Sequence, residues 1–426
     1  MPKTLAAASA FALGALLFAL APRTSNASDE AALAHALRVL ERHPVIDGHN
    51  DLPWAIRESA KAPRDVAAYD LRTRTPGATD LERLRAGHVG GQFWSVYVPA
   101  DLEGGFARVQ LEQLDIARRL IERYPDRLAF ATSADELARA IREGRVASLL
   151  GMEGGHAIEN SLGALRAFHD LGARYMTLTH SRTLDWADSA TDAPRHGGLT
   201  RFGEEVVREM NRLGMLVDLS HVSEETMDDA LRVSEAPVVF SHSSARAVCD
   251  HPRNVPDAIL ARLRANGGLV MVTFVSAFVS PEFARASAPL WKEYDERVKG
   301  IEDPVRREAI GKEIAARMPK LEVTIAQVAD HVDHVRALAG ADHVGLGGDY
   351  DGNDSWPRGL EDVSGYPRLF AELVRRGWSD EDLGKLASGN LLRVLREAEA
   401  VARRLQATRP ASTATIESLD GAKPRP

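Results

Sequence analysis

Four histidines and three acids stand where chemistry could be done: His49, His180, His221, His242, Asp51, Glu153 and Asp349 each lie at or just beyond the end of a short apolar run. Imidazole nitrogen and carboxylate oxygen can together grip a metal cation. His49 and Asp51 are two residues apart, which on an extended segment places both on one face. His221 and His242 are separated by enough chain for one crossover helix and the next strand. Each residue alone has a plainer explanation: a chance His-x-Asp pair, a carboxylate capping a helix at Glu153, core histidines bonded to backbone. Together, so many buried-prone polar groups at matching run ends point to a metal site, because such groups are rare in a core without partners.

Other candidates carry less. Ser220 and Ser241 directly precede His221 and His242, but neither lies in the Gly-x-Ser-x-Gly elbow of a serine nucleophile. His331 and His334 are three residues apart on an amphipathic run and read as surface or helix-packing residues. His156 follows Gly154-Gly155 in a loop, and His343 begins an apolar run rather than ending one.

The runs that must position these residues are Val45–His49, Gly91–Val98, Ala147–Gly151, Tyr175–Thr179, Met215–Leu219, Pro237–Ser241, Leu269–Phe274 and Val344–Gly347, all read as strands. Amphipathic stretches separate them, among them Leu111–Tyr124, Glu204–Leu213 and Thr324–Leu338. Continuous apolar strands joined by helices predict a parallel sheet buried on both faces. Eight such units predict an α/β fold, a closed (β/α)8 TIM-type barrel, with an open sheet as the alternative. In such a barrel the carboxyl ends of the strands converge, so residues distant in sequence meet on one face. The charged stretch 275–323 reads as a helical insertion before the last strand.

The chain of 426 residues is 44% hydrophobic and 27% charged with net charge −8, which excludes wholesale disorder. That balance, with no lysine or arginine block, argues against nucleic-acid binding. Residues 5–21 form an apolar run after Lys3, and Ser25-Asn26-Ala27 offers small residues for cleavage, so residues 1–27 read as a signal peptide cleaved after Ala27. This implies an exported protein, periplasmic or secreted, with no stable membrane anchor. Residues 28–406 read as one domain and 407–426 as a flexible tail. Cys249, the sole cysteine, cannot form an intrachain disulfide.

The motifs Ile46-Asp47-Gly48-His49-Asn50-Asp51-Leu52-Pro53-Trp54, Met152-Glu153-Gly154-Gly155-His156, Leu178-Thr179-His180, Asp218-Leu219-Ser220-His221, Phe240-Ser241-His242-Ser243-Ser244, Arg253-Asn254-Val255-Pro256 and Gly347-Gly348-Asp349-Tyr350-Asp351-Gly352 closely resemble the membrane (renal) dipeptidase family of zinc peptidases. The resemblance spans roughly residues 38–400 and implies an amidohydrolase-type barrel, two zinc ions per chain and hydrolysis of dipeptides by a metal-bridging hydroxide. It implies that His49, Asp51 and Glu153 bind one zinc, and that Glu153 with His221 and His242 binds the other. It makes His180 the contact to the substrate carbonyl, Arg253 the partner of the substrate's terminal carboxylate, and Asp349 the proton shuttle, with Asp351 a lesser claimant. A noncovalent homodimer is also implied; the disulfide linkage and lipid anchor of mammalian members are not, because Cys249 has no partner and no anchor signal is present. The competing functions are hydrolysis of a β-lactam, lactone or N-acyl amino acid on the same metals, and a non-catalytic metal- or peptide-binding protein.

Overall fold

The computed structural model describes residues 24–421 except 103, 302 and 303. Nine parallel strands form: β1 (Val45–Asn50), β2 (Val89–Ser95), β3 (Leu128–Phe130), β4 (Val146–Glu153), β5 (Ala173–Thr177), β6 (Leu216–Asp218), β7 (Val239–Phe240), β8 (Leu269–Val272) and β9 (Val344–Leu346). Neighbours run β2-β1-β9-β8-β7-β6-β5-β4, and pairing of β2 with β4 closes the ring. All eight expected strands are present, and they make a closed (β/α)8 barrel. The ninth, β3, has no counterpart among the expected strands. It pairs only with the first residues of β4, Val146–Ser148, below the point where β5 takes over that edge. Three residues are too few to show a period of their own.

Alternation along each strand sorts side chains into two cores. Phe93, Leu149, Tyr175, Leu216, Val239 and Met271 fill the interior, where Leu391, Val394 and Leu395 of helix Asn390–Gln406 join them. Their neighbours Trp94, Leu150, Met176, Val217, Phe240 and Val272 face outward against the helices. Each such buried side chain contributes about 1.5–3 kcal/mol, so the apolar cores hold the strand ends in place independently of any ligand.

Between β8 and β9 the chain makes helices Ser276–Val279, Pro281–Val298 and Pro304–Ala315, the expected helical insertion. It has a small core of its own, Val298, Ile310 and Ile314, under surface ion pairs of Arg297 with Glu293 and Glu313. An Arg307–Asp101 ion pair ties it to the loop after β2.

Residues 407–421, expected as part of a flexible tail, are held against the barrel. Ser412 bonds through its backbone to Arg166 and Glu209, and helix Ile416–Asp420 lies along helix Arg201–Leu213, with Asp420 accepting from the Phe202 N–H. A capping box joining Thr415 and Ser418 starts that helix. Most of the expected signal peptide, residues 1–23, lies outside the described residues; helix Thr24–Arg42 runs through the expected cleavage position after Ala27. Among the described residues no helix is long and apolar enough to cross a membrane.

Candidate active site

The strand ends bring the chemistry together around one carboxylate. Glu153, the last residue of β4, is 5% exposed and lies among groups from five other strands or the turns after them. Its Oε2 lies 3.4 Å from His49 Nε2 and accepts from the Ser95 hydroxyl at 3.1 Å. Its Oε1 faces three imidazoles: His221 Nε2 at 3.1 Å, His242 Nε2 at 3.5 Å and His180 Nε2 at 3.7 Å. His49 Nε2 is also 3.2 Å from Asp51 Oδ2 and 3.9 Å from Asp349 Oδ1.

Local backbone explains how the residues get there. The pairing of β1 with β2 is irregular between Asp47 and Asn50, where His49 turns toward the barrel interior. Asp51 is not on the extended segment expected from its spacing. With φ −92° and ψ 22° it starts helix Leu52–Arg57, and it reaches His49 by that turn. His221 and Asp349 both adopt left-handed backbone, φ 71° and 61°. Such conformations cost free energy in residues with a Cβ and persist where surrounding contacts impose them, as they often do at active sites. Gly151 leaves the space that the Tyr175 ring occupies; a Cβ there would lie 2.0 Å from the ring. Tyr175 in turn places its hydroxyl 2.7 Å from His49 Nδ1.

Three donor groups could each hold a cation: His49, Glu153 and His242; Glu153, His180 and His221; and His49, Asp51 and Asp349. His49 Nε2 and Asp51 Oδ1 are buried without a hydrogen-bond partner, while His221 Nε2 and His242 Nε2 approach to 2.9 Å beside the same carboxylate oxygen. Unpartnered lone pairs converging on a shared carboxylate fit a metal by number and by type. Burial holds His221 and His242 well below the usual imidazole range, favouring the neutral rings that ligation needs. Burial, with Asp51 and Glu153 adding to it against His49 and Arg253, lifts the Asp349 carboxyl well above its usual range.

Around this cluster sit groups that could meet a substrate. The His180 ring packs 4.2 Å from His221 and 4.9 Å from Tyr97, whose other neighbour is Trp54. Arg253 is buried, donates to Ser243 Oγ and the His242 carbonyl, and lies over Phe278. Among the described residues it forms no ion pair, and its Nε has no partner; burial pulls it down to about 10. Asp351 points away from the cluster, its Oδ1 accepting from the Ala78 N–H at 2.6 Å.

The remaining sequence candidates have structural duties. His331 is buried, accepting from the Ala245 N–H and donating to the Val279 carbonyl; His334 pairs with Asp257. His156 donates to the Val98 carbonyl, and His343 to that of Gly268. Ser220 bonds to Ser243 and the His242 N–H, while Ser241 stands between Asp218 and His242 with about 1% exposure, so neither hydroxyl faces the cleft as a nucleophile. Sequence reasoning assigns no role to Tyr175, Ser95, Tyr97, Asp47 or Asp218. The acids have a readable signal, since a carboxylate inside an apolar strand needs partners; the others have none.

Residues 33–409 match the membrane dipeptidase family, peptidase family M19. Dipeptidase 3 of Mus musculus is 42% identical over 380 residues, covering 88% of this chain and 68% of that protein. The probable dipeptidase PvdM from Pseudomonas aeruginosa shares the fold, with TM-score 0.75 at 24% identity over 88% of this chain and all of that one. A metallopeptidase from Rhodobacter sphaeroides, liganded with a phosphinate mimic of the dipeptide L-Ala-D-Ala, is similar at TM-score 0.67 and 28% identity, covering 84% of this chain and 99% of its own.

Proposed function

The chain belongs to the membrane dipeptidase family, a family of metallopeptidases, and on that premise we propose that it is an exported dipeptidase working with two zinc ions that share Glu153. That it is a dipeptidase, and so a hydrolase, comes from the family; the zinc, its count and the residue roles are the proposal. One observation carries it: the two oxygens of Glu153 face two different ligand groups, His49 with Asp51 and His221 with His242. A carboxylate has two oxygens to divide between two cations.

Two zinc ions held there would polarise the scissile carbonyl and make water a competent nucleophile at neutral pH. The chain's own residues do the rest. Asp349, beside His49 and lifted in pKa, takes the proton from the attacking water and returns it to the leaving amine. His180 directs its ring at the substrate carbonyl oxygen. Arg253, buried and without an acidic partner among the described residues, pairs with the free carboxylate of the second residue. A carboxylate held there sets the distance to the peptide bond, so the enzyme measures a dipeptide.

The mimic bound by the Rhodobacter sphaeroides relative makes L-Ala-D-Ala the first substrate to try. Purified zinc-loaded protein should hydrolyse it or its L,L counterpart, lose activity on chelation and regain it with zinc. No turnover of any dipeptide by fully metallated protein would overturn the reading. Location and assembly complete it: a leader removed after Ala27 and a noncovalent homodimer. N-terminal sequencing of the mature protein and its mass in solution check these.

A further inference from the structure

Asp218, the last residue of β6, has both carboxylate oxygens engaged although its side chain is wholly buried. Oδ1 accepts from the backbone N–H of Ser220 at 3.0 Å and of Ser241 at 2.9 Å. Oδ2 accepts from the Ser241 hydroxyl at 2.5 Å. The hydroxyl has one proton, and it is committed to the carboxylate. Ser241 Oγ also stands 2.8 Å from His242 Nδ1. Toward that nitrogen it can only accept, so the ring proton must sit on Nδ1. His242 Nε2 is then left with a free lone pair, and it is this atom that faces Glu153 and His221.

The same carboxylate pins the ends of β6 and β7, because Ser220 precedes His221 and Ser241 precedes His242. The Ser241 carbonyl is wedged against Gly347, where a Cβ would come within 1.8 Å of it. The segment therefore has little room to turn its side chain elsewhere.

We infer that Asp218 and Ser241 form a positioning relay that fixes His242 in the tautomer able to ligate a cation. This rests on the metal reading above. The competing view is that Asp218 is only a staple between two strand ends. Asp218→Asn separates the two, because its amide oxygen can still accept from both N–H groups. Its NH2 would present a donor to Ser241, whose hydroxyl proton must then turn to His242 Nδ1. The ring proton moves to Nε2 and blocks the ligating lone pair.

The test compares wild type, Asp218→Asn and Ser241→Ala by zinc bound per chain across a range of buffered free zinc, together with the Tm of each metal-free protein. Wild type should bind about two ions. Asp218→Asn should bind about one at the concentration that saturates wild type. Ser241→Ala, which loses the acceptor but imposes no wrong tautomer, should weaken one of the two ions by about 10–100-fold. Two ions bound with wild-type affinity by either variant, whatever its Tm, would overturn the relay and leave the staple. A wild type that binds fewer than two ions would overturn the metal reading instead, and the relay with it.

Discussion

On the β1 side of Glu153, His49 meets Asp51 and Asp349 within 3.9 Å, whereas on the β6–β7 side the other carboxylate oxygen meets, among the described residues, only the imidazoles of His180, His221 and His242. The supporting groups differ in the opposite sense. Behind His49 stands a neutral phenol, Tyr175, and behind His242 stands a hydroxyl polarised by the Asp218 carboxylate. Each side also has a buried acid bracing its strand end. Asp47 accepts from the His49 and Gly348 N–H groups, and Asp218 accepts from those of Ser220 and Ser241. Of these two acids, Asp218 alone reaches onward, through Ser241, to an imidazole of the cluster. Negative charge beyond that of Glu153 thus touches the cluster directly on one side and stands behind an imidazole on the other. An ion held by neutral rings depends more on how those rings are oriented, and the polarised support lies where that need is greater.

Glu153 belongs to both sides, so changing it should have the largest effect. Glu153→Gln should lose both ions and lower kcat/KM by about 10³-fold or more. Metal analysis with kinetics checks this, and a variant keeping two ions and near-normal turnover would break the division into two sides. Asp349→Asn keeps the shape of the β1 side but removes the proton acceptor. Turnover should fall by about 10²-fold with metal content unchanged. Asp351→Asn should cost far less, since Asp351 is tied to Ala78; equal losses would make the shuttle a shared role.

Arg253→Met should lower kcat/KM for free dipeptides by about 10²-fold, in line with loss of a buried charge pair, and leave C-terminally amidated dipeptides almost unaffected. Equal losses on the two substrates would make Arg253 a brace for its loop. The smallest effect is expected at Tyr175→Phe, where a neutral phenol is removed from behind His49. Zinc affinity should drop by less than about tenfold, at the weak end of what lost support behind a ligand costs. A larger drop than that of Ser241→Ala would reverse the comparison between the sides.

The cluster's members are legible in the sequence because parallel strands converge at their carboxyl ends, so the polar residues at the ends of the apolar runs include His49, Glu153, His221 and His242. How they are held is much less legible. The spacing of His49 and Asp51 suggests one extended face, but the chain reaches the same contact through an irregular β1 and a helix start at Asp51. Tyr175 reads as an ordinary strand residue, and only the closure of the barrel reveals that it backs His49. Asp218 is visible as an acid inside an apolar run, yet its partner Ser241 is a strand away and comes into reach only through pairing. The docked C-terminal segment is masked by its Pro/Thr/Ser composition, although Thr415 and Ser418 already have the spacing of a helix cap.

The central claim, two ions sharing Glu153, is tested most directly by anomalous scattering at the zinc edge from crystals of the zinc-loaded protein. The account predicts two peaks per chain, roughly 3.5–4 Å apart, one beside His49 and Asp51, the other beside His221 and His242, with Glu153 between them. A single peak in crystals of fully active enzyme, or a second one remote from Glu153, would contradict it.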